Sequence, residues 1–415
     1  MEKEKEKEKE KEKLKVLFCS DLVVPTGFST VSHNIIKSIE DDFEITGLGV
    51  NYRGDPHEYK FPIFPATNGM NNNIYGVDRL VNILNGTKVD LLFLLNDAWV
   101  ISYYLDAIKK DVKNKPRIVV YFPVDSEFHN KEWYKDFDIV TKAYTYTEFG
   151  KRVVNECVPE MEVGIMPHGV DTSVFYKLPE TKLQLRKILF GDSAEERMPN
   201  LGELFFVFNG NRNQPRKKLD ITMKGFSIFA KNKPDVRLYM HCGVRDSSID
   251  VTQLARRYKI DDKMIITSAS VGIQRVPLDK LNVIYNACDV GINTGMGEGW
   301  GLVNVEHAVT GAVQVVGRHS ACEELFYDCG LLMENVSDFM FDNSQTVGKL
   351  TSPEEVARAL EILYRNRRLL SELSAKGMKK FTAPEYQWYT IALKWKDIFT
   401  EIFNDSDDST TPINS

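Results

Sequence analysis

Gly295-Met-Gly-Glu-Gly-Trp-Gly-Leu-Val-Asn-Val-Glu-His-Ala-Val-Thr-Gly311 sets alternating glycines (295, 297, 299 and 301) around Glu298 and then runs into an apolar stretch carrying Glu306. Asp289-Val-Gly-Ile-Asn293 before it and Ala312-Val-Gln-Val-Val316 after it read as short buried strands. Strand, glycine loop, helix and strand make one parallel βαβ unit. Glycines let the backbone approach a ligand closely, and the following helix begins with N–H groups that have no partner within it. That geometry favours an anion such as a diphosphate. Glu298 is expected in the loop and Glu306 on the helix behind it. The dinucleotide fingerprint Gly-x-Gly-x-x-Gly is not met, because its last place falls on Trp300 or Leu302. An ordinary Rossmann-like turn with two surface acids is the plainer reading of the same residues.

The rest of the chain agrees with an α/β protein of more than one core. Its 415 residues suit two domains, and 43% hydrophobic with 11% aromatic residues can fill their interiors. The formal net charge of -6 comes with no long basic tract, so nucleic acid is not an expected partner. The six cysteines (19, 157, 242, 288, 322 and 329) lie mostly in apolar runs and form no Cys-x-x-Cys pair. They read as reduced, buried thiols. No apolar run is long enough to span a membrane, and the charged N-terminus lacks a secretory core, so a cytoplasmic location is expected.

Outward from the central unit, residues 2–13 alternate Glu and Lys and read as a disordered, net-neutral tail; a partner-binding arm is the other reading. An N-terminal domain is expected over 14–175. It opens with the strand Leu14–Ser20, a loop at Pro25–Ser29 and a helix from Thr30 to Ile39. Val89–Leu95, the most apolar run in this half, and Arg117–Val124 end in Asn96-Asp97 and in Asp125-Ser-Glu127. Polar groups there stand at strand C-termini, where α/β sheets bind ligands. Asp125 reads either as a site residue or as a cap of the next helix. Residues 176–200 are charged and read as a linker with one helix, Glu180–Phe190. A second domain is expected over 201–384, opening on Leu204–Phe208 and the basic turn Asn209-Gly-Asn-Arg-Asn-Gln-Pro-Arg-Lys-Lys218. Its cations could grip a diphosphate, or could be a solvated turn. Ser352–Leu373 reads as one long amphipathic helix, 385–403 as a closing helix, and 404–415 as a polar tail. In that tail Asp405, Asp407 and Asp408 read as a solvated end ahead of a cation site.

Glu298-Gly-Trp-Gly-Leu302, Glu306, Gly311 and Val315-Val316 resemble the two-glutamate motif of the large retaining glycosyltransferase family built on the GT-B fold (glycosyl transferases group 1, family 4-like). His307 departs from the family's usual alanine. The resemblance implies two Rossmann-like, doubly wound domains with a deep cleft between them, and a closing helix that returns to the first domain. It also implies that Arg212 and Lys217 hold the donor's phosphates, that Gly299, Trp300, Gly301, Leu302 and Val303 line the donor, and that Glu298 faces the sugar. Glu306 would accept from the ribose hydroxyls, the backbone near Val271 would read the base, and Gly27 would lie near the transferred sugar or the acceptor. Where many relatives place a histidine, this chain offers Asp125 or His129. His168, in the family's Pro-Asn-Gly-Val-Asp place, reads as a loop histidine held by a turn before it reads as a base.

The activity this implies is transfer of a sugar from a nucleotide-diphosphate sugar, UDP first and GDP next, to an acceptor hydroxyl with retention of configuration. No metal or other cofactor is expected: the cations and helix amides supply the charge. The acceptor is not written in these motifs. A nucleotide-sugar epimerase or phosphorylase on the same fold, and a non-catalytic nucleotide-sugar binding protein, are the alternative readings.

Overall fold

The computed structural model describes residues 13–67, 73–267 and 276–407. The Glu/Lys tail through residue 12, most of the Asn-rich loop at 68–73, Val271 and the polar tail from Asp408 lie outside these residues, as do the side chains of 405–407.

Two parallel sheets organise the chain. The first contains β1 (Lys15–Ser20), β2 (Glu44–Gly49), β3 (Ile63–Pro65), β4 (Leu91–Leu95), β5 (Arg117–Phe122), β6 (Lys142–Thr145) and β7 (Gly164–Ile165). Their order is β3-β2-β1-β4-β5-β6-β7. The second contains β8 (Phe205–Asn209), β9 (Val236–Met240), β10 (Met264–Ile266), β11 (Val290–Asn293), β12 (Val313–Gly317) and β13 (Leu331–Met333), in the order β10-β9-β8-β11-β12-β13. Both are doubly wound: the chain moves outward from the first strand, returns to its other side, and moves outward again. Every residue of β4, β8, β11 and β12 is buried. Strands covered by helices on both faces have no solvent side, hence the unbroken apolar runs. This is the α/β, two-Rossmann architecture expected of the sequence.

Helices α1 (Gly27–Ile39), α2 (Val77–Gly86), α3 (Ala98–Asp111) and α4 (Glu148–Cys157) follow strands of the first sheet. The Pro25–Ser29 loop is shorter than expected, since α1 already starts at Gly27: the Thr26 hydroxyl accepts from the Ser29 N–H and caps it. The 176–200 segment holds two helices and not one, α5 (Lys182–Phe190) and α6 (Ala194–Arg197). A reciprocal Thr181–Gln184 capping box starts α5. Arg186 on α5 is fully buried and bonds Asp289 and the carbonyls of Ala287, Leu201 and Leu204.

Around the second sheet stand α7 (Leu219–Phe229), α8 (Val251–Tyr258), α9 (Leu278–Ala287), α10 (Leu302–Val309) and α11 (Ser320–Phe326). An antiparallel hairpin follows, β14 (Asn335–Met340) and β15 (Val347–Thr351), which the sequence reading did not anticipate. The long helix expected over Ser352–Leu373 is broken into α12 (Pro353–Arg365) and α13 (Arg367–Phe381). Asn366 leaves helical geometry (φ -110, ψ 79) and its side chain caps α13 through the Leu369 N–H. Amphipathic periodicity continues through such a break, because both pieces bury apolar stripes. The last described element is α14 (Trp388–Asp407).

Two compact units result. One comprises residues 1–122, 132–144 and 392–415, the other 123–131 and 145–391. In the first, Trp395 of α14 is fully buried with edge contacts to Phe93, Tyr121 and Tyr144. In the second, Phe205, Met223, Phe226, Leu238, Val290 and Leu360 belong to one apolar core. No helix among the described residues is long and apolar enough to cross a membrane.

Candidate functional site

The second sheet reverses its strand order between β8 and β11, and ligands of open α/β sheets bind at the C-terminal ends of the strands at such a switch point. Both strands end there in a buried asparagine, Asn209 and Asn293. Asn293 divides its amide between the glycine loop and α10. Its Nδ2 donates to Glu298 Oε1 (2.9 Å) and Asn304 Oδ1 (3.0 Å), and its Oδ1 accepts from the Gly295 N–H (2.9 Å). Asn304 Nδ2 in turn donates to Gln314 Oε1 on β12 (3.0 Å). The loop is thus pinned from behind by a chain of side-chain amides.

Two glycines have specific reasons. A Cβ on Gly297 would lie 2.0 Å from the Asp125 carbonyl oxygen. Gly301 sits at φ +87 as the N-cap of α10 and brings no side chain to the helix end. The first N–H groups of that helix stay available to an anion. Gly297→Ala is therefore expected to force the two loops apart, at a cost of about 1–3 kcal/mol. Thermal unfolding measures it; an unchanged melting temperature would contradict the close approach.

The basic turn places its cations unequally. A 3₁₀ turn spans Pro215–Lys217, and Lys218 in the left-handed region (φ 48) starts α7. This turns the buried Lys217 ammonium onto Glu298 Oε1, to which it donates. Arg216 Nη1 donates to the Gly297 carbonyl (3.1 Å) and to Asp125 Oδ2 (3.1 Å). Arg212 is held elsewhere, by Nε and Nη2 bonds to Asp246 (2.6 and 3.3 Å). Burial opposes the charge on Glu298, but Lys217 and Arg216 outweigh it and hold the carboxyl below the usual range. The Lys217 ammonium is itself pulled down by burial, partly offset by Glu298. Each member of the pair thus favours the charged form of the other against the cost of burial.

Glu306 stands on α10, and its Oε2 accepts from the Tyr285 hydroxyl (3.0 Å). Burial pushes this carboxyl up to about 7 despite that bond. The neighbouring His307 is a core residue. It stacks on Tyr285 (centroids 5.1 Å apart), meets the edge of Phe208 at 5.0 Å, and donates Nε2 to the Tyr285 carbonyl. Burial keeps it neutral, with its pKa lowered to about 3. The residue that departs from the family pattern is therefore explained by packing.

Of the remaining candidates, Asp125 caps no helix: it follows β5 and accepts from Arg216 and from the Ser126 hydroxyl. Trp300 is buried beside His168, with centroids 5.5 Å apart. His168 packs within aromatic rings, Tyr146 at 4.0 Å and Trp388 at 5.6 Å, and burial lowers its pKa to about 3. His129 is lowered to about 4 by burial, opposed by Asp125. Gly27 lies in the other unit, exposed at the first position of α1. Leu302 and Val303 form the first turn of α10.

Sequence reasoning missed Asn293, His319 and Ser320. Ser320 takes a positive φ (46) and its Oγ accepts from the Glu298 N–H (3.1 Å). His319 Nδ1 is hydrogen-bonded with Ser320 Oγ (3.1 Å), and its pKa is lowered to about 4, chiefly by burial. Polar residues closing apolar strands, as Asn293 closes β11 and Arg318-His319-Ser320 follow β12, were the available signal.

The fold and the site together define a GT-B-type α/β protein with an ion-paired glycine loop at its second switch point. Solved structures share that fold over nearly their whole length. Sucrose-phosphate synthase from Thermosynechococcus elongatus superposes with a TM-score of 0.68 at 12% identity, covering 95% of this chain and 100% of that one. HepE from Anabaena, solved in complex with UDP-glucose, gives 0.69 at 13% identity and covers 94% and 100%. A glycosyltransferase from Rickettsia africae gives 0.68 at 14%, covering 94% and 99%. No protein-family model matches the chain, and no curated protein matches it by sequence.

Proposed function

We propose that the protein is a retaining glycosyltransferase acting on a nucleotide-diphosphate sugar, UDP-linked before GDP-linked. The observation that carries this reading is the buried Lys217–Glu298 pair at the tip of a glycine loop, with Arg216 beside it and the start of α10 behind it. In the reaction, the acceptor oxygen bonds to the anomeric carbon. The bond from that carbon to the diphosphate oxygen breaks with its electron pair on the diphosphate, which also takes up the hydroxyl proton. Negative charge grows on the diphosphate, where Lys217, Arg216 and the α10 amides offer fixed positive charge without a metal ion. Glu298, held ionised, faces positive charge growing on the sugar, while Glu306 accepts from ribose. The fold relatives solved with UDP and UDP-glucose support this donor class.

A panel of UDP- and GDP-sugars incubated with EDTA and no acceptor tests the proposal. Slow release of nucleoside diphosphate from one donor is expected; absence of binding by all of them would overturn it.

Glu306 adds a pH signature. Its carboxyl in the free protein titrates near 7, so a ribose hydroxyl that needs the carboxylate meets a proton below that pH. Nucleotide affinity is expected to rise between pH 6 and 8, about tenfold per unit below the pKa and level above it. Glu306→Gln is expected to bind more weakly with a flat profile, by calorimetry; a retained slope would remove Glu306 from the role. The sign for folding is opposite. A carboxyl raised on folding stabilises at low pH, and that contribution is lost as pH rises through 7.

A further inference from the structure

Beside the Lys217–Glu298 pair opens a cavity of about 360 Å³ that none of the donor contacts above uses. Its walls come from the Asp125–Glu127 segment, the first turn of α4, the loop and first turns at 318–324, and the start of β15. All of these residues lie in one compact unit. Backbone bonds stitch the walls together. Glu127 and Val347 exchange N–H···O bonds of 2.8 and 2.9 Å, and the Lys349 N–H donates to the Met296 carbonyl of the glycine loop (2.8 Å). Ser320, which accepts from the Glu298 N–H, and Asp125, which accepts from Arg216, are shared between this cavity and the ion-paired loop. A molecule seated here lies against the reacting centre.

We propose that this cavity is the acceptor subsite and that it takes a neutral, polyhydroxylated acceptor, a sugar or the end of a glycan. The inference rests on the transferase reading above and adds the substrate class.

The charge pattern carries the choice. Four carboxylates (Asp125, Glu127, Glu323 and Glu324) and three cations (Arg152, Arg318 and Lys349) line the cavity. Glu127 lies between Arg152 (3.5 Å) and Lys349 (3.1 Å), and Arg318 meets Glu323 (3.3 Å). Glu324 occupies the N-terminus of α4, accepting from the N–H groups of Glu148 and Phe149 (3.1 and 3.0 Å), where a phosphate would otherwise bind. Every cation of the wall is thus matched by a carboxylate. A phosphorylated acceptor would have to displace one of these carboxylates to reach a cation. A hydroxyl both donates and accepts, so it can bridge the members of an ion pair without displacing either. Phe149 and Met296 supply the apolar part that a sugar ring's C–H face requires.

The test uses the full chain and saturation-transfer NMR with methyl glucoside, methyl mannoside, maltotriose, glucose 6-phosphate and octyl glucoside, each with UDP present. Saturation of at least one neutral saccharide is expected, at least tenfold weaker for glucose 6-phosphate and no stronger for octyl glucoside. Glu127→Gln and Lys349→Gln, which leave the backbone bridge intact, are each expected to weaken that saccharide at least tenfold, with unfolding curves confirming that they fold. Tighter binding of glucose 6-phosphate, dependence on the octyl chain, saccharide binding indifferent to both variants, or no saccharide binding would each overturn the proposal. Binding of UDP alone to the unaltered protein is read separately. Its loss would sink the donor assignment, whereas UDP binding without any saccharide signal sinks only the acceptor subsite.

Discussion

Lys217→Ala is expected to lower turnover of the responding nucleotide sugar by about 100-fold or more, the usual cost of removing one preorganised charge donor from a growing anion. The same substitution leaves Glu298 buried, with Asn293 as its remaining side-chain donor. Losing the partner of a buried carboxylate costs up to about 3–5 kcal/mol, reduced here by the nearby Arg216, so the variant should also melt earlier. These two losses are separable. Lys217→Met combined with Glu298→Gln removes both charges at similar volume and is expected to restore much of the stability while turnover stays low. Steady-state release of nucleoside diphosphate and urea unfolding of the single and double variants decide the matter. A double variant that regains both stability and turnover would show that the pair serves only the fold. Acid should act on the pair in a definite direction. Because the Glu298 carboxyl is lowered on folding, its stabilisation is complete above the ordinary carboxylate range and is lost as pH falls through the folded value.

Arg186→Leu is expected to destabilise the second unit by about 3–5 kcal/mol, with little direct effect on nucleotide contacts. The guanidinium is fully buried over the Phe206 ring, 4.1 Å from its centroid. It donates to Asp289 Oδ2 (2.9 Å) and to the carbonyls of Ala287 (3.0 Å), Leu201 (2.8 Å), Gly202 (3.2 Å) and Leu204 (2.9 Å). Leucine matches part of the volume and none of the donors, so several buried carbonyls lose a donor together, and Asp289 is left with Lys182 (3.5 Å) and the Phe206 N–H. Asp289 Oδ2 also accepts from the Phe206 N–H (2.8 Å), which ties this cluster to the opening of β8. A shift in the urea midpoint worth less than about 1 kcal/mol would mean the network relaxes or admits water.

The glycine loop, both of its acids and the strands on either side were legible because they are local. Alternating glycines followed by an apolar run between two strand-like segments specify a βα turn from neighbouring residues alone. The break at Asn366 was not legible, since apolar periodicity continues from α12 into α13 and the interruption is made by one capping side chain. The β14–β15 hairpin gave little signal for a related reason: five of the six residues of β14 are exposed, so no buried face writes a pattern. Resemblance singles out Arg212 and Lys217 among the cations of the basic turn, but composition and spacing do not separate them from Arg216. Only the 3₁₀ turn at 215–217 and the partner Asp246 distinguish them.

The amino-acid sequence by itself determined the α/β architecture, the positions of the main strands, and the presence of a phosphate-suited loop carrying Glu298, with Glu306 on the helix after it. Each of these follows from hydrophobic period and backbone permissiveness over a few residues. Tertiary structure decided which charges meet. It set Lys217 on Glu298, Arg216 on Asp125 and Glu324 on the start of α4, and it made His307 a core residue. The reason is electrostatic. The role of a charged group depends on partners within a few ångströms, and here those partners lie 81, 91 and 176 residues away along the chain.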